Sequence, residues 1–160
     1  MGLINEGDKA PDFTLPCDTG ELYTLSQHLS RTPLIVYFYP KDMTSGCTQE
    51  ACDFRDMLLT QSHFQVVGIS KDSVKSHKKF KEQYTLTFPL LSDASGEVCS
   101  KYGVWIQKSM YGRKYFGIER STFIINEHGV VLKIWRKVTV KNHRIDILKF
   151  LVSLHEGSES

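Results

Sequence analysis

The chain has 160 residues, of which 24% are charged and 41% are apolar, and its formal net charge is +2. These values are typical of one globular domain and exclude disordered, coiled-coil and collagen-like proteins. A charge balance this close to neutral predicts neither nucleic acid nor membrane lipid as a partner. Four irregularly spaced cysteines are too few for a disulfide scaffold.

The amino terminus carries no recognisable targeting signal. It lacks a cationic segment followed by an apolar run, so we expect no signal peptide. No apolar stretch approaches the ~18 residues of a membrane span. The reducing cytoplasm is therefore the expected location. We expect a single domain over residues 1–155, a disordered tail over 156–160 and, as a separate expectation that no motif carries, a monomer.

The spacing of the apolar residues predicts the secondary structure. In chain order we expect a hairpin (13–15 and 22–25), a strand (34–39), a helix (47–60), a strand (65–70), a helix capped by Asp72 or Ser73, an extended segment (88–91), a short helix (98–102), a hairpin (122–125 and 130–135) and a last helix (141–154). The strand 34–39 is a continuous apolar run, which favours a central position, buried on both faces. Strand–helix–strand units followed by a hairpin predict an α/β fold with a mixed central sheet flanked by helices.

The stretch that carries chemistry follows this central strand. Pro40 ends the strand, and the next turn holds the N-cap candidates Thr44, Ser45 and Gly46. Cys47 is therefore predicted in the first turn of the following helix, where unpaired N–H groups and the helix dipole favour a thiolate. An unperturbed cysteine is only about 3% thiolate at pH 7. Such a position can raise the reactive fraction roughly thirtyfold.

The pattern Pro40-x-x-x-Thr44-x-x-Cys47 resembles the active-site motif of the peroxiredoxins. Further stretches resemble one subfamily, the bacterioferritin comigratory protein type, in the same order along nearly the whole chain: 7–13, 38–42, 46–48, 50–56, 91–93, 102–105 and 117–123. The resemblance implies a thioredoxin-like fold and reduction of hydrogen peroxide and organic hydroperoxides, without a metal or an organic cofactor. Ser45 departs from the subfamily, which usually has proline there.

The resemblance also implies roles for individual residues. Cys47 matches the peroxidatic cysteine, which becomes a sulfenic acid, the first step of cysteine oxidation. Thr44 matches the hydroxyl that binds thiolate and peroxide, and Pro40 matches the residue that shields the site from water. Arg120 matches the arginine that stabilises the thiolate and holds the peroxide oxygens. Cys52 matches the resolving cysteine, which forms a disulfide with the peroxidatic cysteine. Thioredoxin then reduces this disulfide.

The remaining candidate residues are assigned other roles. Cys99 is expected in the core, and a resolving role for Cys17 or Cys99 is a second choice. The histidines at 28, 63, 77, 128, 143 and 155 show no ligand spacing, which favours surface positions and no metal. The basic residues between 75 and 81 are expected to form a solvated helix face. The alternative function is a redox-switch binding protein or general thiol–disulfide exchanger, which would need no peroxide-binding donors.

Overall fold

The computed structural model describes residues 3–61 and 63–159. The strands are β1 (Thr14–Pro16), β2 (Leu22–Thr24), β3 (Leu34–Phe38), β4 (Gln65–Ser70), β5 (Leu90–Ser92), β6 (Trp105–Met110), β7 (Arg113–Ile118), β8 (Ser121–Ile125) and β9 (Val131–Trp135). The helices are α1 (Ser45–Thr60), α2 (Val74–Tyr84), α3 (Glu97–Lys101) and α4 (His143–Glu159). None of the described helices is long and apolar enough to cross a membrane.

The central sheet has five strands in the order β5-β4-β3-β8-β9. Strand β4 runs parallel to both β3 and β5, whereas β8 runs antiparallel to β3 and β9. All five residues of β3 are buried, as expected for an apolar run at the middle of a sheet covered on both faces. The predicted mixed sheet and its central strand are therefore confirmed.

The two faces of the sheet carry separate apolar cores because successive side chains of a strand point to opposite faces. On one face Val36 and Phe38 of β3 pack with residues of the β1–β2 hairpin and with α3. On the other face Ile35 and Tyr37 pack with α1, α2 and α4. Helix α1 thus follows the carboxyl end of β3 and packs back over one face of the sheet. Its first turn therefore lies beside the carboxyl end of this central strand.

The sequence analysis missed the hairpin formed by β6 and β7. Most of its residues are exposed, so it lacks the apolar alternation by which strands are recognised. Met110 pairs with Arg113, which leaves a two-residue turn of Tyr111 and Gly112 with φ of 52° and 78°. This geometry is that of a type I′ turn, for which Asn-Gly or Asp-Gly is the usual signal and Tyr-Gly is not.

The last helix, predicted over 141–154, spans His143–Glu159. Ile147 is its fully buried residue, and Leu148, Phe150 and Leu151 pack partly buried against the same core. The backbone of 156–159, predicted as a disordered tail, continues α4, because extending a helix that is already formed costs far less than starting one. Ser160 lies outside the described residues.

Two histidines expected at the surface are buried. His143 bonds the Thr122 hydroxyl through Nε2 at 2.8 Å, and burial lowers its pKa to about 4, so the ring is neutral at pH 7. His77 is enclosed between α2 and the sheet with partners on both ring nitrogens. Hydrogen bonds to polar groups from other elements replace the hydrogen bonds to water that these two rings lose on burial. The spacing of the histidines in the sequence does not reveal these partners.

Candidate active site

Cys47 lies where the sequence predicted it. Thr44 is the N-cap of α1, so Cys47 is the third helical residue, in the first turn. Its side chain is only 1% exposed, and its sulfur is not in a disulfide. The thiol therefore lies at the positive end of a helix and is largely shielded from water. This low-dielectric position strengthens the electrostatic interaction of the sulfur with every nearby charge.

Arg120 is the cation that contacts this sulfur. It directly precedes β8, and the pairing of Ser121 with Phe38 brings it to the carboxyl end of β3. Its Nη2 donates to Cys47 Sγ at 3.3 Å, and its Nη1 donates to Glu50 Oε1 at 2.6 Å. The two arms of the planar guanidinium thus hold two different groups, which the single ammonium of a lysine does less well.

Gly46 makes room for this arginine. A Cβ atom built on Gly46 would lie 3.3 Å from Arg120 Nη2, tighter than almost all real Cβ contacts. A side chain at this position would press on the guanidinium arm that reaches Cys47. The glycine is therefore explained by the close approach of a side chain, in addition to its place at the helix start.

Glu50 is a member of the site that the sequence analysis missed. It follows Cys47 by three residues, and this spacing puts both side chains on one face of α1. Its side chain is buried, and Oε2 has no hydrogen-bond partner among the described residues. Burial raises the pKa of Glu50 to about 7 although Arg120 opposes the shift. The carboxyl group is consequently poised between its two protonation states near neutral pH.

This shift predicts a pH-dependent cost to stability. Because the pKa of Glu50 rises from 4.5 to about 7 on folding, the folded state keeps a proton that the unfolded state loses. Relative to Glu50→Gln, the native protein should lose about 3 kcal/mol of stability as the pH rises from ~4.5 to above 7. Urea unfolding of both proteins across this range measures the difference. Glu97→Gln, an exposed change, should show no such trend, and a pH-independent difference for Glu50→Gln would contradict the shift.

Thr44 does not contact the sulfur in this structure. Its side chain is exposed, and its hydroxyl donates to the Lys41 carbonyl at 2.9 Å. The bond closes the turn before α1 and leaves the lone pairs of the oxygen free to accept. Its role towards thiolate and peroxide therefore stays a prediction.

Pro40 and Arg120 line the same surface cleft. Side chains of the β6–β7 hairpin and of the segment after β9 complete it, among them Ile106, Lys108, Tyr115 and Val138. Pro40 itself is exposed at the rim. This position suits a residue that restricts the entry of water, and the shielding role stays a prediction.

The other three cysteines differ in their surroundings. Cys52 is partly exposed on α1, and burial raises its pKa. Cys99 is fully buried in the core, as expected, and burial raises its pKa further. The Cys17 sulfur lies 2.8 Å from the Thr19 hydroxyl at the β1–β2 turn. Of these three, Cys52 alone shares a helix with Cys47.

Comparison with known proteins places this site in a family. The family model described as AhpC/TSA matches residues 6–134. Peroxiredoxin Bcp of Bacillus subtilis is 44% identical over 96% of this chain and 98% of its own length, and peroxiredoxin Bcp of Escherichia coli K12 is 39% identical over 94% and 97%. The chain belongs to the AhpC/TSA family and, within it, to the peroxiredoxins, which are thiol-based peroxidases.

Solved structures agree in fold. The bacterioferritin comigratory protein of Xanthomonas campestris, studied for its alkyl peroxide reduction activity, superposes with a TM-score of 0.81 at 39% identity, over 88% of this chain and 90% of that one. A cysteine-to-serine mutant of Xylella fastidiosa PrxQ gives a TM-score of 0.89 at 34% identity, over 97% and 99%. The thioredoxin-like fold expected from the sequence is thereby confirmed.

Proposed function

We propose that this peroxidase reduces hydrogen peroxide and organic hydroperoxides at Cys47. The thiolate attacks one peroxide oxygen, the S–O bond forms as the O–O bond breaks, and the leaving oxygen takes up a proton to become water or an alcohol. The observation that carries this proposal is the Arg120 Nη2 to Cys47 Sγ contact of 3.3 Å in the first turn of α1. A fixed donor at the sulfur can also reach a peroxide bound there.

The cleft beside Arg120 supports organic hydroperoxides as substrates. Ile106, Tyr115 and Val138 give it apolar surface on which an alkyl group can pack. The Xanthomonas relative is the one described for alkyl peroxide reduction. We infer that the alkyl group of a hydroperoxide lies in this cleft while its O–O bond reaches the sulfur.

The proposed cycle continues with Cys52. Its thiol would attack the sulfenic acid of Cys47 and release water as the disulfide forms. Both cysteines belong to one chain, so the step needs no second copy, which supports the expected monomer. We propose thioredoxin as the reductant and the reducing cytoplasm as the location, where such a disulfide is transient and catalytic.

The disulfide requires a change of structure. Cys47 and Cys52 lie on the same helix, and five helical residues correspond to a rise of ~7.5 Å and a turn of about 140°. Their Cα atoms are thus roughly 8.6 Å apart, beyond the ~7 Å that a disulfide tolerates. The first turns of α1 must therefore unwind before the bond forms. Unwinding of a helix end is among the less costly local openings of a protein.

Hydrogen exchange should detect this unwinding. We expect amide exchange over residues 44–54 to be markedly faster in the oxidised protein than in the reduced protein, because unwound turns lose their i to i−4 bonds. Exchange in β3 and β4 serves as the internal control. Equal protection in both states, with the Cys47–Cys52 bond confirmed by mass spectrometry, would contradict the mechanism.

A peroxidase assay tests the function itself. The reduced protein is mixed with hydrogen peroxide or an alkyl hydroperoxide, together with thioredoxin, thioredoxin reductase and NADPH, and NADPH consumption is followed. Sustained turnover is the expected result. A single oxidation without thioredoxin-dependent turnover would favour the redox-switch alternative or a different reductant, and no oxidation of Cys47 would remove the proposal.

A further inference from the structure

His77 lies in the interior and is bound at both of its ring nitrogens. Its side chain is 0% exposed, with Nδ1 2.7 Å from Asp42 Oδ2 and Nε2 2.8 Å from the Leu91 carbonyl oxygen. A carbonyl only accepts, so Nε2 carries a proton. The short contact between Nδ1 and Asp42 Oδ2 holds a further proton, which the ring and the carboxyl group share.

Asp42 makes further hydrogen bonds with its surroundings. Besides His77, its carboxyl group accepts from the Tyr39 hydroxyl at 2.6 Å and from the Ser76 hydroxyl at 2.8 Å. These contacts supply polar partners to a buried carboxyl group and fix its position. The backbone N–H of Asp42 donates to Asp72 at 2.8 Å, so main chain and side chain are both fixed. His77, Asp42 and Asp72 have ligand atoms within 4.8 Å of one another, and these bonds within the protein account for their proximity.

The His77–Asp42 pair acts on the turn that begins α1. Asp42 belongs to the connection between β3 and α1, and the next residue, Met43, has a φ of 67°. A residue with a Cβ atom is unfavourable in this left-handed conformation, which persists only where neighbouring contacts impose it. The contact between Thr44 and Lys41 fixes the turn from one side, and the His77–Asp42 pair fixes it from the interior. Cys47 follows three residues after the N-cap.

We propose that the hydrogen-bonded pair of His77 and Asp42 is a positioning element for Cys47, which we name the loop anchor. It holds the strained turn in the conformation from which α1 starts, and so stabilises the helical form that reacts with peroxide over the unwound form that makes the disulfide. The inference rests on the proposed roles of Cys47 and Cys52. Through His77, helix α2 and strand β5 take part in setting this balance although neither contacts the sulfur.

A positioning role predicts opposite changes in two steps. His77→Gln keeps a side chain of similar length but removes the ring that bridges Asp42 and the Leu91 carbonyl. The rate constant for oxidation of Cys47 should fall on the order of tenfold, because misplaced reacting groups lose rate steeply. Disulfide formation from the sulfenic acid should become faster, because the helix start unwinds more easily, and less Cys47 should be over-oxidised to sulfinic acid. General destabilisation does not produce this pair of changes.

Stopped-flow measurements of both steps compare the native protein, His77→Gln, and Val131→Ala as a destabilised control in β9. If His77→Gln proves unfolded, Ser76→Ala, which removes one donor to Asp42, should shift both steps in the same directions by less.

Each outcome bears on the loop anchor separately from the proposed function. Parallel slowing of both steps in His77→Gln and Val131→Ala alike would overturn it. If the native protein fails to react with peroxide, amide exchange still decides the matter. His77→Gln should then speed exchange of the amides of residues 48–50 in the reduced protein and Val131→Ala should not, and unchanged exchange in His77→Gln would also overturn the loop anchor.

Discussion

A Cys47→Ser variant is expected to lose peroxide reduction completely. An alcohol supplies almost no anion at neutral pH, so neither the helix start nor Arg120 has a nucleophile to stabilise. The measurement is peroxide consumption in the coupled assay, with the fold checked by circular dichroism. Cys17→Ser makes the same chemical change at a sulfur outside the site and should retain activity. Near-normal turnover by Cys47→Ser would show that the reactive sulfur lies elsewhere.

Cys52→Ser completes this comparison, because the two cysteines act in different steps. This variant should react with peroxide once and then stop at the sulfenic acid, or proceed to the sulfinic acid when peroxide is in excess. Mass spectrometry of the Cys47 peptide distinguishes these states from a disulfide. Sustained turnover by Cys52→Ser would transfer the resolving role to another thiol, with Cys17 or Cys99 the remaining candidates.

Arg120→Met is expected to slow the oxidation of Cys47 by about a hundredfold, since one preorganised donor typically contributes ~3 kcal/mol to a developing charge. The variant removes both the donor to the sulfur and the partner of Glu50. The thiolate fraction at pH 7 should fall as well, which ultraviolet titration of the thiolate measures. Arg113→Met, on the exposed hairpin, should change neither quantity.

Arg120→Lys separates charge from geometry. A lysine keeps the positive charge, but its compact ammonium lacks the planar fork that serves Glu50 and Cys47 together. We therefore expect an intermediate rate, nearer to that of Arg120→Met if the fork matters more than the charge. An unchanged rate constant in Arg120→Met would place this arginine outside the reaction.

The parts of the fold and site that the sequence predicted correctly depend on local patterns. The strand 34–39 is a continuous apolar run, and its burial at the sheet centre follows from that run alone. Cys47 follows a turn rich in N-cap residues, so its place in the first turn of α1 could be predicted from its neighbours.

The position of Arg120 in the site could not be predicted from local sequence patterns. It is 73 positions from Cys47 in the chain, and the register of β8 against β3 brings the two together. Its neighbours in the sequence predict only an exposed strand residue, whereas the family resemblance implies a place in the site. Glu50 and His77 were missed for the same physical reason, because their partners come from distant elements or from a turn whose geometry the sequence does not specify.

The shared guanidinium of Arg120 also orders the events of the cycle in time. Before the reaction one arm of it binds the Cys47 sulfur and the other binds Glu50, both on α1. In the proposed cycle, oxidation converts the thiolate into an uncharged sulfenic acid, so the charge attraction between sulfur and arginine is lost when the peroxide is consumed. One of the two contacts that hold the helix start is then weakened by the chemistry itself, which favours unwinding towards Cys52. The contact between Arg120 and the sulfur would thus be strongest only while Cys47 is a thiolate that has not yet reacted.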